Sequence, residues 1–304
     1  MSSVSLTPQK RLLAVFAELS PELQRAARWV NEHPVEVGLW SMRRQAQTLA
    51  LSPATMLRLA RAVGYDSYDS FRAPFQQALA AGDYSLRQRA AKLQADDSKT
   101  PRLAHNVLSD LQVRAVQSIF ALNTSAQFDT VAQTMLDARL VGFMGGRSSF
   151  GTAYQMHYAY QLVRSNGILL DGLGGIQAEQ ADVLDASDVL VTIAQAPYSA
   201  TTIRAVQCAH QRGVVVVALV DDTMSSLAMH AGHVLLFQPE SSMGAGSPTG
   251  PGSFFHTMTG PLALAENLVA RLAARGGQAV LNRLDDVERR MADEQVYHDM
   301  PVRQ

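Results

Sequence analysis

Two hydrophobic patterns divide the chain. Over residues 8–80, apolar side chains recur every three or four positions, as in the stripe Leu12, Leu13, Phe16 and Leu19. This spacing is typical of an amphipathic helix. From residue 139 onward, apolar residues occur instead in short continuous runs separated by helix-length segments. The first part therefore predicts an all-α domain, and the second part predicts an α/β domain.

Four predicted helix starts share one sequence signal, a hydroxyl residue followed by proline. They are Thr7-Pro8, Ser20-Pro21, Ser52-Pro53 and Thr100-Pro101. The hydroxyl can accept a hydrogen bond from a free backbone N–H at the start of a helix. Proline suits the first helical position because it has no N–H there to leave unpaired. We therefore predict helices that begin near residues 8, 21, 53 and 101, the second of which ends before Pro34.

Five apolar runs predict the strands of the second part. They lie at 139–144, 167–172, 188–194, 213–220 and 233–238. Because helix-length segments separate them, we expect a parallel sheet flanked by helices on both faces. The predicted domains are 1–80 (helical), 81–125 (polar linker and connecting helix), 126–280 (α/β) and 281–304 (a charged segment, interpreted as a solvated helix or tail). The loop 241–253, rich in glycine, serine and proline, is a candidate lid.

Composition excludes several classes of protein. The chain has 304 residues, and 47% of them are hydrophobic, so we expect a full hydrophobic core. Its formal net charge of -1 excludes a protein that is basic throughout. Cys208 is the only cysteine, which excludes an internal disulfide and a cysteine-rich zinc site. The longest aliphatic run, 214–220, is too short to cross a bilayer, and the first residues lack the apolar core of a signal peptide. These features predict a cytoplasmic protein without a membrane partner.

Residues 41–65 predict two short helices around a tight turn. Ser52 caps the second helix, and Gly64 ends it. The only charged residues in this stretch are four arginines: Arg43, Arg44, Arg58 and Arg61. A basic helix pair suits the phosphate backbone of double-stranded DNA, although four arginines are equally compatible with an ordinary solvated surface. If DNA binds here, the first half of the second helix, with Thr55, Leu57 and Arg58, reaches the base edges.

Residues 5–80 resemble the N-terminal helix-turn-helix domain of the RpiR/MurR family of bacterial regulators. The resemblance rests on LSPELQRAARWVNEHPVEV (19–37) and SPATMLRLARAVGYDSYDSFRAPFQQAL (52–79). It favours the DNA-binding interpretation, for which the candidate residues are Arg43, Arg44, Ser52, Thr55, Leu57, Arg58 and Arg61. Gln45 stands where an apolar residue is common in the family, and Ala50 stands where the turn usually has glycine. Because a left-handed residue other than glycine costs about 1 kcal/mol, a reshaped turn is an open alternative.

A glycine-rich loop, residues 145–149, follows the first predicted strand. In parallel sheets, ligands bind at the carboxyl ends of the strands. Gly145 and Gly146 allow backbone N–H groups to approach a ligand, Arg147 supplies a cation, and Ser148 and Ser149 supply hydroxyls. Together with the positive end of the following helix, they favour an anion such as phosphate. The alternative is an ordinary strand-to-helix turn. Nucleotide-binding patterns are absent, so we predict no cofactor.

A second hydroxyl-rich loop, residues 194–202, follows the third predicted strand. Its candidate effector-binding residues are Tyr198, Ser199, Thr201 and Thr202. Two such loops at neighbouring strand ends can close around one small polar ligand. Residues 221–226 are a third polar segment, for which a plain polar turn is the simpler interpretation.

Residues 126–275 resemble the sugar isomerase (SIS) domain, which follows the RpiR-type helix-turn-helix in this family. Such domains bind phosphosugars through strand-end loops rich in serine and threonine. The resemblance assigns this role to Ser148, Ser149, Ser199 and Thr202. Ala194 and Gln195 stand where serine often begins the second loop, so the implied effector is a phosphosugar, a sugar acid or another small anion. The SIS domains are also expected to pair, which gives a homodimer or homotetramer for a palindromic operator.

Two functions remain to be separated. The first is a DNA-binding transcriptional regulator that senses a phosphosugar or a related anionic metabolite. The alternative is a sugar-phosphate isomerase or lyase with a helical appendage, which needs a Glu or His base. The candidate bases His157, Glu179, His256 and Glu266 fall in no recognisable catalytic pattern. Since an isomerase has no need for a basic helix pair, we predict a regulator with no catalytic or metal-binding residue.

Overall fold

The computed structural model describes residues 7–81, 87, 90, 91, 94, 101–238 and 257–296. The chain divides into two compact units. The helical unit comprises the chain up to Gln117 together with two later segments, of which Asp221–Met229 is described. The sheet unit comprises Ser118–Val220, His230–Phe237 and the chain from Met258 onward. Among the described helices, none has the length and apolar character needed to cross a membrane.

Helices make up the helical unit, and the last of them continues into the sheet unit from Ser118. They are α1 (Pro8–Val15), α2 (Pro21–Glu32), α3 (Pro34–Leu39), α4 (Met42–Thr48), α5 (Pro53–Ala62), α6 (Tyr68–Ala81) and α7 (Pro101–Leu122), with a 3-10 turn at Phe16–Glu18. The four predicted helix starts and the predicted end before Pro34 are confirmed. The hydroxyls of Thr7 and Ser52 accept hydrogen bonds from the backbone as expected, whereas Ser20 makes no such bond.

The core of the helical unit contains a buried polar residue, Gln45. Its side chain is fully buried, and its Nε2 donates to the carbonyls of Val37 (3.2 Å) and Trp40 (2.9 Å). Its Oε1 accepts from the hydroxyl of Tyr68. Burial raises the pKa of that hydroxyl, so it stays protonated and can donate. A glutamine can therefore replace the apolar residue of the family pattern, because its polar atoms have partners.

The turn between α4 and α5 keeps its left-handed geometry without glycine. Ala50 has a φ of 50°, at a cost of about 1 kcal/mol. Two backbone hydrogen bonds close the turn, from the N–H of Ala50 to Gln47 (3.0 Å) and from that of Leu51 to Ala46 (2.8 Å). Arg25 of α2 adds a third bond, to the carbonyl of Leu49 (3.0 Å). These contacts hold the expected conformation.

The sheet unit contains a five-stranded parallel sheet. Its strands are β1 (Val141–Gly145), β2 (Gly167–Leu169), β3 (Val189–Ala194), β4 (Val215–Val220) and β5 (His233–Leu236), in the order β2-β1-β3-β4-β5. All four pairings are parallel, which confirms the predicted α/β fold. Strands β1 and β3 are buried along their whole length, as expected for strands covered on both faces.

Helices cover this sheet. They are α8 (Ser125–Asp137), α9 (Ser149–Val163), α10 (Gln177–Gln180), α11 (Ala200–Gln211), α12 (Thr259–Arg275) and α13 (Gly277–Asp293), with 3-10 turns at Leu173–Gly175, Ala181–Val183 and Ala228–His230. The predicted charged segment 281–304 is not wholly solvated, because α13 buries Val287 within it, as well as Val280 just before it. Asp129 of α8 pairs with Arg271 and Arg275 of α12.

The buried glutamine gives a test of the helical core. Gln45→Leu keeps the side-chain volume but removes the hydrogen bonds to the carbonyl of Trp40 and to the Tyr68 hydroxyl, as well as one of the two side-chain hydrogen bonds to the carbonyl of Val37. We expect the free energy of unfolding to fall by about 2–3 kcal/mol, measured by urea denaturation. Gln47→Leu is the matched control, since Gln47 lies on the same helix and is exposed. Equal stability of the two variants would contradict this account.

Candidate functional site

The first candidate loop joins β1 to α9 in a tight turn. β1 ends at Gly145 and α9 begins at Ser149, and the N–H of Ser149 donates to the carbonyl of Gly146 at 3.1 Å. Arg147 has a φ of 54° and is exposed, while Ser148 is half-buried. Ser149 is only 4% exposed. The loop therefore presents backbone and hydroxyl groups close to the strand end.

Two glycines of this loop are fixed by close contacts. A Cβ atom on Gly145 would collide with the backbone of Ser149. A Cβ atom on Gly146 would lie 2.7 Å from Thr202 Oγ1 and 3.2 Å from Ser199 Cβ. The backbone of Gly146 therefore touches the start of α11, and the structure brings the two predicted effector loops together.

The second loop leads from β3, which ends at Ala194, into α11. Ser199 occupies the N-cap position, but its hydroxyl makes no capping bond and lies 2.6 Å from Thr201 Oγ1. Tyr198 is half-buried and Thr201 is exposed. Thr202 is 1% exposed, and its Oγ1 has no hydrogen-bond partner among the described residues.

The unpaired hydroxyl of Thr202 marks this place as a candidate anion site. A buried polar group without a partner costs about 1–3 kcal/mol, so it needs an explanation. Its neighbours are the backbone of Gly146, the hydroxyl-bearing Ser199 and the positive N-terminal end of α11. This set offers neutral hydrogen-bond donors and a helix dipole, which bind an anion without any acid–base chemistry.

A second unpaired hydroxyl lies in β3 and was not singled out from the sequence. Thr192 is fully buried, and its Oγ1 has no partner in the described part of the chain. A threonine within the otherwise aliphatic run VLVTIA is the signal that could have identified it. Gln195, at the beginning of the loop, donates to the sulfur of Met258 at 3.2 Å.

The third polar segment, residues 221–226, forms hydrogen bonds within the helical unit. The carboxylate of Asp222 accepts from Asn31 Nδ2 and from the N–H of Met224, each at 2.8 Å, and burial raises its pKa. Ser226 donates its hydroxyl to Glu32 at 2.7 Å. These internal bonds agree with the interpretation of this segment as a polar turn.

The candidate bases do not assemble into a catalytic group. His157 Nε2 lies 3.0 Å from Gln161 Nε2 and 3.3 Å from the carbonyl of Gly167, so this histidine is packed, as predicted. Glu179 and Glu266 are exposed. His256 and the candidate lid 241–253 lie outside the described residues. Within the described ranges, no cluster of His, Cys, Asp and Glu could hold a metal ion.

The predicted DNA-contacting arginines of α4 and α5 are all exposed. The guanidinium of Arg44 lies 4.1 Å from the ring centroid of Trp40, which orients it by a cation–π contact. Neither Arg43 nor Arg61 forms a hydrogen bond or ion pair with the described residues. The helix pair therefore presents positive charge that is available to a phosphate backbone.

Hydrogen bonds link three of the remaining predicted residues, Ser52, Thr55 and Arg58, at the start of α5. Ser52 Oγ accepts from the N–H of Thr55 at 3.1 Å, and Thr55 is 3% exposed. Arg58 Nη2 donates to Thr55 Oγ1 at 3.1 Å and lies 3.5 Å from the carboxylate of Glu22 in α2. Leu57 is half-buried against the helical core. The charged residues of 41–65 are all basic, but folding brings the acidic Glu22 of α2 next to one of them.

Three comparisons identify what the chain is similar to. Residues 134–249 match the SIS domain. An HTH-type transcriptional regulator of Haemophilus influenzae is 25% identical over 227 residues, 73% of this chain and 77% of that protein. The Vibrio vulnificus NanR protein, in complex with ManNAc-6P, covers 95% of this chain and 99% of its own at 19% identity and a TM-score of 0.55. The sugar isomerase domain of an RpiR transcription factor from Sphaerobacter thermophilus covers 62% of this chain and 99% of its own at 20% identity and a TM-score of 0.53.

These findings confirm the predicted SIS domain in the second part of the chain, and they show that the chain is similar to HTH-type transcriptional regulators. The two solved structures share the fold of this chain over the ranges that they cover.

The contact at Gly146 can be tested by adding one methyl group. Gly146→Ala places a Cβ against Thr202, so we expect unfolding free energy to fall by about 1–3 kcal/mol. Gly151→Ala is the matched control, because its Cβ would meet nothing within 4 Å and alanine favours the helix by up to about 1 kcal/mol. Thermal or urea unfolding of both variants measures the difference. If the variants are equally stable, the two loops do not meet as described.

Proposed function

We propose that the protein is a DNA-binding transcriptional regulator whose SIS domain senses a small anionic sugar derivative. In this proposal the helix-turn-helix domain lies within 1–80, and the effector domain lies within 126–280. The main support for the proposed effector site is the hydroxyl of Thr202, which is buried beside the backbone of Gly146 and has no hydrogen-bond partner among the described residues. A bound anion would accept the hydrogen bond that this hydroxyl otherwise lacks.

The chemistry of the two loops supports a phosphosugar as the effector, with a sugar acid as the variant to compare. The structure of the NanR protein with ManNAc-6P provides the example of a phosphosugar in a similar fold. In this chain the proposed contacts are Gly145, Gly146, Arg147, Ser148, Ser149, Tyr198, Ser199, Thr201 and Thr202. Hydroxyls, backbone N–H groups and a helix N-terminus form the kind of set that binds phosphate oxygens.

The exposed arginines support double-stranded DNA as the second ligand. Arg43, Arg44 and Arg61 are placed to contact phosphates, and Ser52 and Thr55 act by fixing the start of α5. A palindromic operator would require two copies of the chain, so we propose a cytoplasmic homodimer or homotetramer. The effector can regulate DNA binding only if it binds one arrangement of the DNA-binding units more tightly than another.

We also propose that the chain has no enzymatic activity. Sugar-phosphate isomerisation needs a general base beside the ligand, and His157 is engaged with Gln161 and Gly167. The alternative is an isomerase or lyase with a helical appendage. No assembled acid–base pair among the described residues supports this alternative.

Removing the Thr202 hydroxyl separates binding from stability. Thr202→Val keeps the shape but deletes an unpaired buried hydroxyl, so we expect equal or higher stability together with about tenfold or greater loss of effector affinity. Thermal shift and calorimetry with hexose 6-phosphates, N-acetylamino sugar phosphates and sugar acids measure both effects. Thr130→Val, at an exposed position, is the control. Unchanged affinity in Thr202→Val for a ligand that the wild type binds would refute the site.

Removing two unpaired arginines tests the DNA surface. Arg43→Gln with Arg61→Gln should weaken binding to every duplex and lower the salt-dependence slope by about two, because two phosphate contacts are lost. Effector affinity should persist. Arg204→Gln with Arg290→Gln removes the same charge from the sheet unit and serves as the control, with fluorescence anisotropy as the measurement. A wild-type protein without preference for its own upstream DNA over random duplex would disprove the regulator proposal.

A further inference from the structure

Arg58 differs from the other arginines of α4 and α5. In the described part of the chain, Arg43 and Arg61 have no polar partner, and Arg44 packs over Trp40. Arg58 instead donates through Nη2 to Thr55 Oγ1 at 3.1 Å and lies 3.5 Å from a carboxylate oxygen of Glu22. One arginine of the DNA-binding surface is therefore held in place before any DNA is bound.

The two groups beside Arg58 differ in burial, since Thr55 is buried whereas the side chain of Glu22 is 61% exposed. Thr55 is 3% exposed, and its hydroxyl lies 3.0 Å from that of Ser52 at the start of α5. Glu22 lies in the first turn of α2, where the helix dipole favours a carboxylate. Helix α2 in turn packs on the helical core through Ala26. The guanidinium therefore contacts residues of two helices, through a hydrogen bond to Thr55 of α5 and an ion pair with Glu22 of α2.

The carboxylate of Glu22 changes what Arg58 can bind. A DNA phosphate that approached this guanidinium would also approach a second negative charge, and like charges repel. A base edge presents neutral acceptors and meets no such repulsion. In the described part of the chain, Nε and Nη1 of Arg58 have no hydrogen-bond partner, so these donors are available to acceptors such as O6 and N7 of guanine.

We propose that Glu22 determines sequence specificity by acting through Arg58. Glu22 is a positioning residue: it directs the guanidinium away from phosphates and toward a guanine in the major groove of the operator. The inference rests on the proposed function as a DNA-binding regulator, and it adds a residue outside the helix pair to the specificity of that function. If this exposed ion pair had no such role, removing it would alter stability slightly and DNA affinity only through net charge.

The first test compares two carboxylates. Duplexes are selected from a random-sequence library with the wild-type protein, and affinities for a selected duplex and a random duplex are then measured. Glu22→Gln should lower the ratio of the two affinities about tenfold or more, because Arg58 gains a phosphate contact on random DNA and the salt slope there steepens by about one. Glu18→Gln removes the same charge from an exposed residue and should leave the ratio unchanged.

The second test identifies the base. Arg58→Lys keeps the charge but loses the planar fork of donors, so discrimination of guanine from adenine at one operator position should fall about ten- to a hundredfold. Affinity for random duplex should persist. Arg61→Lys, on the same helix, should leave the guanine preference intact. Circular dichroism and thermal melting establish that each variant is folded.

The outcomes separate this inference from the proposed function. Equal effects of Glu22→Gln and Glu18→Gln on the affinity ratio, or an undiminished guanine preference in Arg58→Lys, would overturn the role of Glu22 while leaving a regulator. A wild-type protein that selects no sequence from the library would overturn the proposed function and this inference with it.

Discussion

The close approach of Gly146 to Thr202 depends on the parallel pairing of β1 and β3. Gly145 and Ile193 are partners in that pairing, so the residues that follow both strands emerge at the same edge of the sheet. Only a residue without a side chain leaves room there for the hydroxyl of Thr202. The same contact places Ser199 beside the loop. The candidate anion site is thus a consequence of strand register together with one glycine.

Both units place polar atoms inside the protein, and both leave some of them unpaired. In the helical unit, Gln45 pairs with Tyr68 and with backbone carbonyls, whereas Arg28 Nε is buried without a hydrogen-bond partner among the described residues. In the sheet unit, Thr192 and Thr202 are buried and unpaired. A satisfied group supports a fixed structure, whereas an unsatisfied group favours the arrival of a ligand. The unpaired hydroxyl of Thr202 agrees with the proposed role of the sheet unit in binding a metabolite.

Local signals predicted most of the fold. The hydroxyl-proline pairs gave the starts of α1, α2, α5 and α7, because capping acts between residues that are neighbours in sequence. The apolar runs gave all five strands and the parallel sheet. The burial of Val280 and Val287 was not predicted, since a charged helix surface conceals which of its few apolar residues find a partner.

Contacts between distant residues limited the prediction of the sites. Glycine and hydroxyl residues marked both candidate loops, but the contact of Gly146 with Thr202 required the strand register. The pairing of Arg58 with Glu22 was invisible because the acidic residue lies in another helix. Thr192 was overlooked because an isolated polar residue in a strand gives a weak signal. Sequence patterns thus identified the elements that carry the sites, and folding decided which side chains meet.

The hydroxyl of Thr55 takes part in two structures at once. It lies beside the Ser52 hydroxyl that caps α5, and it accepts a hydrogen bond from Arg58. A mutation at this position would disturb the helix start and the arginine together. In this chain, the proposed base preference and the local stability of α5 therefore share one side chain and cannot be altered independently at this position.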